Sequence, residues 1–487
     1  MEALSSCDPG RAVERSVWAG TERLGLCGRT IGLQKKGRLL VIAYGKAAPR
    51  MAEGLRARIE AAGGGRPVRG LVIAPAGGAH AATGGPEPSG GAAASRSGGP
   101  PGGSAPPGAG AASGGAALAA RRAEWKGAVR ITRLTGDHPL PGAASFRAAQ
   151  SALRLAAAAG PGDDLIFLAS GGGSALMAAP LRPFMTPAEK TVLHKLLLVS
   201  GAPIATINAV RKHLSAVKGG RLGVAARRAK SQATLVLCDV DPESYEDVAS
   251  GPSLPDQTTL DDMIRAIDRY GLAPALPSRV LDGLRAGAMP ETPRRRDPAF
   301  RRVRHAMILS NRDLRNAAVR SGLAVGLSAE SVPFDLIGPV VDAVERVARA
   351  IESAPPGTRL LVLGGEVLTA PSGPGTGGRA QEFALRLALR MAGLGSRPWA
   401  FLAFGSDGID GNSPAAGAFA DQTTLDRSRA AGADPAKTLR DSDTHRFFSR
   451  LGDAFVTGPT GTNVRDLYLL LTGEPVAPRR LFTPQAP

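Results

Sequence analysis

The sequence predicts a doubly wound α/β protein built around two sheets. Three observations carry this expectation. Short unbroken runs of Val, Leu and Ile recur along the chain, each the length of a strand buried on both faces. Ala- and Leu-rich stretches of helical length lie between them, the alternation that gives parallel sheets covered by helices. The 487 residues also exceed the roughly 250–300 at which a single hydrophobic core stops growing.

In order along the chain, RLLVIA (38–43) reads as a buried strand and KAAPRMAEGLRARIEAAG (46–63) as the helix after it. RGLVIAP (69–75) and GAVRITRLTG (127–136) are the next strands, and FRAAQSALRLAAAAG (146–160) is a helix. DDLIFLAS (163–170), ATLVLCDV (233–240), RLLVLGGE (359–366) and WAFLAFGSDG (399–408) complete the strands. Between the second and third runs, residues 76–120 are Gly, Ala, Pro or Ser at 40 of 45 positions. Such a tract buries too little apolar surface to offset its ordering entropy, so it reads as a flexible insertion within a domain. The Arg-dense, Pro-containing stretch TPRRRDPAFRRVRH (292–305) marks the boundary between units at 1–290 and 301–487.

Composition narrows the function classes. Lys and Arg outnumber Asp and Glu by 60 to 42, giving a net charge of +18 that attracts polyanions. Arginine is nonetheless spread along the chain, and aromatics are only 4 %, which leaves few stacking platforms for nucleic acid. No specific nucleic-acid partner is expected. Cys7, Cys27 and Cys238 have no paired spacing, so a disulfide framework and a zinc ribbon are both excluded. The sequence holds no apolar run of about 18 residues, and its first residues lack the apolar segment of a secretory signal. The expectation is a cytoplasmic protein without a membrane partner.

Ligands of open α/β sheets bind at the carboxyl ends of strands, so the strand-to-helix turns carry the chemistry. AYGKAAP (43–49) puts Lys46 at a helix start, where free N–H groups and an ammonium favour an anion. LASGGGSALMAAP (168–180) sets Gly171, Gly172 and Gly173 between Ser170 and Ser174, a nest of N–H groups that phosphate oxygens can approach. TINAVRKHLSAVKGGRLG (206–223) reads as a helix on which Arg211 and Lys218 share a face, with Asn208 near its start. In the C-terminal half, GGEVLTAPSGPGTGGRAQEFAL (364–385) places Arg379 just before a helix, and FGSDGIDGNSPAAGA (404–418) holds Asp407 and Asp410 on a loop. VTGPTGTNVRDLYLLL (456–471) reads as a Gly- and Thr-rich turn leading into a helix. Two close carboxylates can hold Mg²⁺, or one can take a proton from a substrate hydroxyl.

Together these blocks resemble the class II glycerate 2-kinases, whose C-terminal part is called the MOFRL domain and whose bacterial members were long labelled hydroxypyruvate reductases. The matching stretches are GKAA (45–48), HPLP (138–141), SGGGSAL (170–176), INAVRKHLSAVKGGRL (207–222), VASGPSLPDQTT (248–259), GGRAQE (377–382), SDGIDG (406–411) and TGPTGTN (457–463). Residues 1–37 match the family's opening helix poorly.

The resemblance implies an N-terminal Rossmann-like domain, a smaller C-terminal α/β domain with its MOFRL core at about 359–473, and an active site in the cleft between them. It implies phosphorylation of D-glycerate at its 2-hydroxyl by ATP with Mg²⁺, in an enzyme that could be a homodimer. Lys46 and Arg379 are the catalytic cations it implies, either neutralising the γ-phosphate or clamping the substrate carboxylate. Ser170 to Ser174, Asn208, Lys212 and Lys218 would cradle nucleotide or substrate. Asp239, Asp407 and Asp410 supply the base and the Mg²⁺ ligands, with Asp239 grouped with the catalytic residues. Tyr44 before Gly45, Cys238-Asp239-Val240 followed by Asp241-Pro242-Glu243, and Ala380 beside Arg379 depart from the family pattern. The rival reading, an NAD(P)-dependent hydroxypyruvate reductase, needs a GxGxxG turn after the first strand, where this chain has AYGKAAP.

Overall fold

The computed structural model describes residues 1–33, 36–76, 129–393 and 398–473. The insertion expected at 76–120 lies outside the described residues except for its first position.

Three sheets organise these residues. Strands β1 (Trp18–Gly20), β2 (Arg23–Leu26) and β3 (Arg29–Gly32) form a small antiparallel meander within the N-terminal stretch that the sequence left unread. Strands β4 (Leu39–Tyr44), β5 (Val68–Pro75), β6 (Val129–Gly136), β7 (Asp164–Ala169), β8 (Ser231–Leu237) and β9 (Val303–Leu309) form an all-parallel sheet in the order β6-β5-β4-β7-β8-β9. Every residue of β4, β7 and β8 is buried, as expected for continuous apolar strands covered on both faces. Counted from β4 the order is 3-2-1-4-5-6. The winding therefore reverses between β4 and β7, the position where such sheets open a ligand crevice.

β9 corrects the expected boundary. It pairs in parallel with β8, so the first sheet uses residues beyond 301. Val303 and Leu309 are buried while Arg301, Arg302 and Arg304 face solvent, so the arginines masked a strand that reads as a polar linker.

The second sheet also departs from expectation. It contains β10 (Ser328–Pro339), β11 (Arg359–Leu368), β12 (Trp399–Gly405), β13 (Gly417–Asp421), β14 (Ala454–Phe455) and β15 (Asp466–Thr472), in the order β10-β11-β15-β12-β13-β14. Only β10 and β11 are parallel; the other pairs are antiparallel, so this is not a second doubly wound sheet. The reason is β15, which the sequence reading made a helix. Its five-residue apolar run, LYLLL (467–471), is ambiguous between a buried helix and a central strand. Here it fills the gap between β11 and β12, antiparallel to both.

The basic segment 206–223 is broken as well. A helix runs only from Ile204 to His213, Ser215 forms a bridge with Pro180, and a new short helix begins at Arg221. Arg211 and Lys218 therefore do not share a helix face. One buried cluster joins Leu235, Leu237 and Leu309 of the first sheet to Val362, Phe404 and Leu467 of the second. The two sheets share this core, and its packing sets how the turns at their edges face each other.

Candidate active site

The first wall of the site grows from the turn after β4. Gly45 has φ +119°, and a Cβ there would stand 2.2 Å from Ser170 Oγ, so only glycine fits. Its neighbours lock this turn to the one after β7. Lys46 N donates to Gly171 O at 2.8 Å, Ala47 N to Ser170 Oγ at 3.1 Å, and Ser170 N to Tyr44 O at 3.0 Å. Lys46 then leaves the start of the helix Ala48–Ala62 toward open space. The glycine run forms a floor against which functional side chains pack. A Cβ at Gly171 would lie 1.9 Å from Asp239 Oδ2, and one at Gly172 would lie 3.0 Å from Lys46 Cγ and 3.5 Å from His138 Cδ2. Ser174 Oγ is 2.8 Å from Ser250 Oγ, which donates to Asn208 Oδ1 at 3.0 Å.

The facing wall comes from the second sheet. Arg379 is the first residue of the helix Arg379–Arg390. Its Nε and Nη2 donate to the two oxygens of Asp466 at 2.7 and 3.0 Å, and its Nη1 donates to Glu366 Oε1 at 2.5 Å. Asp407 Oδ2 stands 3.8 Å from Lys46 Nζ and bridges the walls. The space between has a volume of about 640 Å³ and is lined by Lys46 and Asp239 on one side and by Glu366, Arg379, Asp407 and Asp466 on the other.

Charge is concentrated here. Burial, reinforced by Glu366, pushes the Asp239 carboxyl up to about 6 against the pull of Lys46 and Arg465. Burial likewise lifts Asp466 to about 6, although Arg379 opposes it. Burial alone would lower the Arg379 guanidinium, but Asp466 and Glu366 override it and hold the group firmly charged. Two cations thus face one another across a glycine floor, with carboxylates beside both. This arrangement can neutralise a polyanion and accept a proton.

A family model described as a domain of unknown function, DUF4147, matches residues 1–285, and the MOFRL family model matches residues 359–466. D-glycerate 2-kinase of Thermotoga maritima is 32 % identical over 338 residues, spanning 68 % of this chain and 78 % of that protein. This chain belongs to the glycerate 2-kinase family. A crystal structure of a glycerate kinase from Thermotoga maritima matches its mixed α/β fold with a TM-score of 0.70 and 26 % identity over 96 % of both chains. A protein of Agrobacterium vitis provisionally named hydroxypyruvate reductase is 38 % identical over 352 residues, 71 % of this chain and 78 % of its own length. The DUF4147 match takes in residues 1–37, where the sequence motifs match poorly.

In this glycerate 2-kinase family member, Lys46, Asp239, Arg379, Asp407 and Asp410 meet in the cleft, and the run Ser170–Ser174 lies at its Lys46 end. The two lysines expected as ligands lie elsewhere. Lys218 is fully buried and donates to the carbonyls of Gly173, Met177 and Ala249 at 3.2, 3.1 and 3.2 Å, supporting the glycine turn from within. Lys212 is held between Asp247 at 2.5 Å and Asp256 at 2.9 Å. The placement of Lys218 follows from the helix ending at His213 rather than continuing through Lys218. Asp410 is at the cleft, but its oxygens accept from Ala380 N at 3.0 Å, Gln381 N at 2.9 Å and Gln381 Nε2 at 2.9 Å. It therefore anchors the start of the helix that carries Arg379 instead of standing open to a metal.

Glu366 and Asp466 were missed in the sequence. Their signals are present: a glutamate after two glycines at a strand end, and an Arg-Asp pair before an apolar run. Because Gly171 leaves no room beside Asp239, Gly171→Ala is expected to displace that carboxylate. Turnover should fall by about 100-fold with little change in the melting curve, as measured by steady-state kinetics alongside circular dichroism.

Proposed function

We propose that this chain transfers the γ-phosphoryl group of ATP to the 2-hydroxyl of D-glycerate, giving 2-phospho-D-glycerate and ADP. The observation that carries the reading is the convergence of Lys46 and Arg379 from opposite walls onto one cleft that also holds Asp239. Phosphoryl transfer needs positioned charge more than covalent chemistry, and these groups supply it. The reading includes a Rossmann-like N-terminal domain, a smaller C-terminal domain and an active site between them.

Lys46 and Arg379 neutralise the charge that builds on the transferring group. Arg379 is held in one orientation by its paired contacts with Asp466, so it loses little freedom when it engages a phosphate. Asp239 takes the proton of the attacking hydroxyl. Its raised affinity for protons suits that task at neutral pH while leaving it mostly ionised there.

The carboxylates fit Mg²⁺, a hard cation that takes one or two protein oxygens together with phosphate oxygens. Asp407 is the first candidate, because Asp410 is committed to backbone N–H groups and Glu366 and Asp466 to Arg379. Bound there, Mg²⁺ would screen the phosphate charge.

The reductase reading lacks a dinucleotide turn. Room after β4 is taken by Ser170 Oγ, and the turn carries a lysine aimed into a charged cleft. The deciding experiment supplies ATP and D-glycerate and reads the product by phosphorus NMR. A 2-phosphate is expected. No product, a 3-phosphate, or NADH-dependent turnover of hydroxypyruvate would each overturn the reading.

A pH profile adds a second test. Protonation of Asp239 removes the base, so kcat/KM for D-glycerate is expected to fall about tenfold per pH unit below about 6. Asp239→Asn should leave a low, flat profile across that range.

A further inference from the structure

The helices Pro187–Val199 and Ile204–His213, with the segment leading to Gly219, bring Lys190, His194, Arg211 and Lys218 together inside the protein. Arg211 is 6 % exposed and His194 1 % exposed, while both lysines are fully buried. The lysines are satisfied by carbonyls: Lys190 Nζ donates to Arg211 O at 3.3 Å and Leu214 O at 2.9 Å, and Lys218 to the three named above. Arg211 differs. Its guanidinium makes no hydrogen bond or ion pair with any described residue, and its buried Nε is unsatisfied, as is Nε2 of His194. Burial alone pulls its affinity for protons down to about 10, with no carboxylate acting in the other direction.

Lys212, the next residue, has two aspartates. The described residues therefore supply counter-charges to a structural cation in this same helix and none to Arg211. An unpaired buried guanidinium is strongly unfavourable, which points to a counter-ion that the described residues do not provide.

The connections of Arg211 lead to the active site. Asn208 is three residues earlier on the same helix and therefore on the same face. Its Oδ1 is bonded to Ser250, which touches Ser174 of the glycine run, and Gly172 of that run packs on Lys46 and His138. The helix carrying His194 is tied to the segment after His138, because Thr191 Oγ1 donates to Pro141 O at 2.7 Å.

We propose that Arg211 holds the carboxylate of the hydroxy-acid acceptor, with Asn208 and Ser174 completing its polar surround. The proposal rests on the glycerate reading and adds the residue that selects an acid over a neutral alcohol. A nucleotide phosphate shares the oxyanion chemistry, but Lys46 and Arg379 already serve phosphate in the cleft, and a planar guanidinium matches a planar carboxylate in paired contacts.

The test compares the full chain with Arg211→Gln and Arg211→Lys. In Arg211→Gln, KM for D-glycerate should rise about 100-fold, as expected for loss of a charge-assisted pair, while KM for ATP stays unmoved. The preference for D-glycerate over its uncharged amide should collapse in Arg211→Gln and survive in part in Arg211→Lys. Because the guanidinium is unpaired, ligand-free Arg211→Gln should melt no lower than the parent chain, and its stabilisation by D-glycerate should vanish. An unchanged KM for D-glycerate, a rise in KM for ATP instead, or a lower melting temperature with the glycerate response intact would each overturn the proposal. Should the parent chain neither bind nor phosphorylate D-glycerate, the glycerate reading fails by itself. Arg211 is then judged on melting shifts with lactate and tartronate, where equal shifts in the parent chain and Arg211→Gln, or none in either, overturn the proposal.

Discussion

Lys46→Ala is expected to reduce turnover by about a thousandfold while leaving the fold intact, because a single preorganised charge at the transferring phosphoryl group carries that much. The structure separates the two effects. Among the described residues Lys46 has one ionic contact, to Asp407 at 3.8 Å, and both side chains are partly exposed. An exposed pair at that distance contributes at most about 1 kcal/mol, so the melting temperature should hardly move. The geometry of the turn is also set without the side chain. Gly45, the backbone bond from Lys46 N to Gly171 O, and the bond from Ala47 N to Ser170 Oγ all survive truncation. The measurement is kcat with saturating ATP and D-glycerate, beside a thermal melt. Near-parental turnover would remove Lys46 from the catalytic machinery. Lys46→Arg offers a finer check: a planar guanidinium keeps the charge but not the compact shape, so it should recover only part of the rate.

Each element is legible in the sequence to the extent that its signal is local. β4, β7 and β8 were legible because burial on both faces demands an uninterrupted apolar run, and little else in a sequence looks like one. β15 is equally apolar but was read as a helix, since its strand state depends on the gap between β11 and β12, which lie far away in sequence. β9 was hidden by flanking arginines that face solvent.

The site divides in the same way. Lys46, Arg379 and Asp407 sit at glycine-marked strand ends or helix starts and Asp239 just past the end of β8, so their position could be read from local punctuation. Lys212, Lys218 and Asp410 carry the same residue types, yet their partners are distant aspartates, carbonyls and a helix start that only tertiary structure brings close. Glu366 and Asp466 were missed for the converse reason. Their importance lies in holding Arg379, and nothing local to them reveals that partner.

Arg379→Met should cost both rate and stability, and the stability cost should grow with pH. The rate loss, about a thousandfold or more, follows from the proposed role of Arg379 as the second charge at the phosphoryl group. The stability loss comes from Asp466, which is buried and would lose both of its guanidinium bonds, keeping among the described residues the hydroxyl of Tyr468 at 3.2 Å. Breaking a fully buried pair costs about 3–5 kcal/mol; Arg379 is one-third exposed, so about 2–3 kcal/mol near neutral pH is the expectation here. The pH dependence has a definite sign. Asp466 already binds its proton more tightly in the folded chain than an unfolded aspartate does, at about 6, and loss of the neighbouring cation raises this further. Between the unfolded value and the folded one the native state binds the extra proton, so stability declines as pH rises through that window. In the variant the window extends upward past 6, and each further pH unit within it costs about 1.4 kcal/mol. The melting deficit relative to the parent chain should therefore be small at pH 5 and large at pH 8. Adding Asp466→Asn to Arg379→Met should restore most of the stability at pH 8 and none of the turnover. A deficit independent of pH, or turnover recovered in the double variant, would separate Arg379 from the role given to it here.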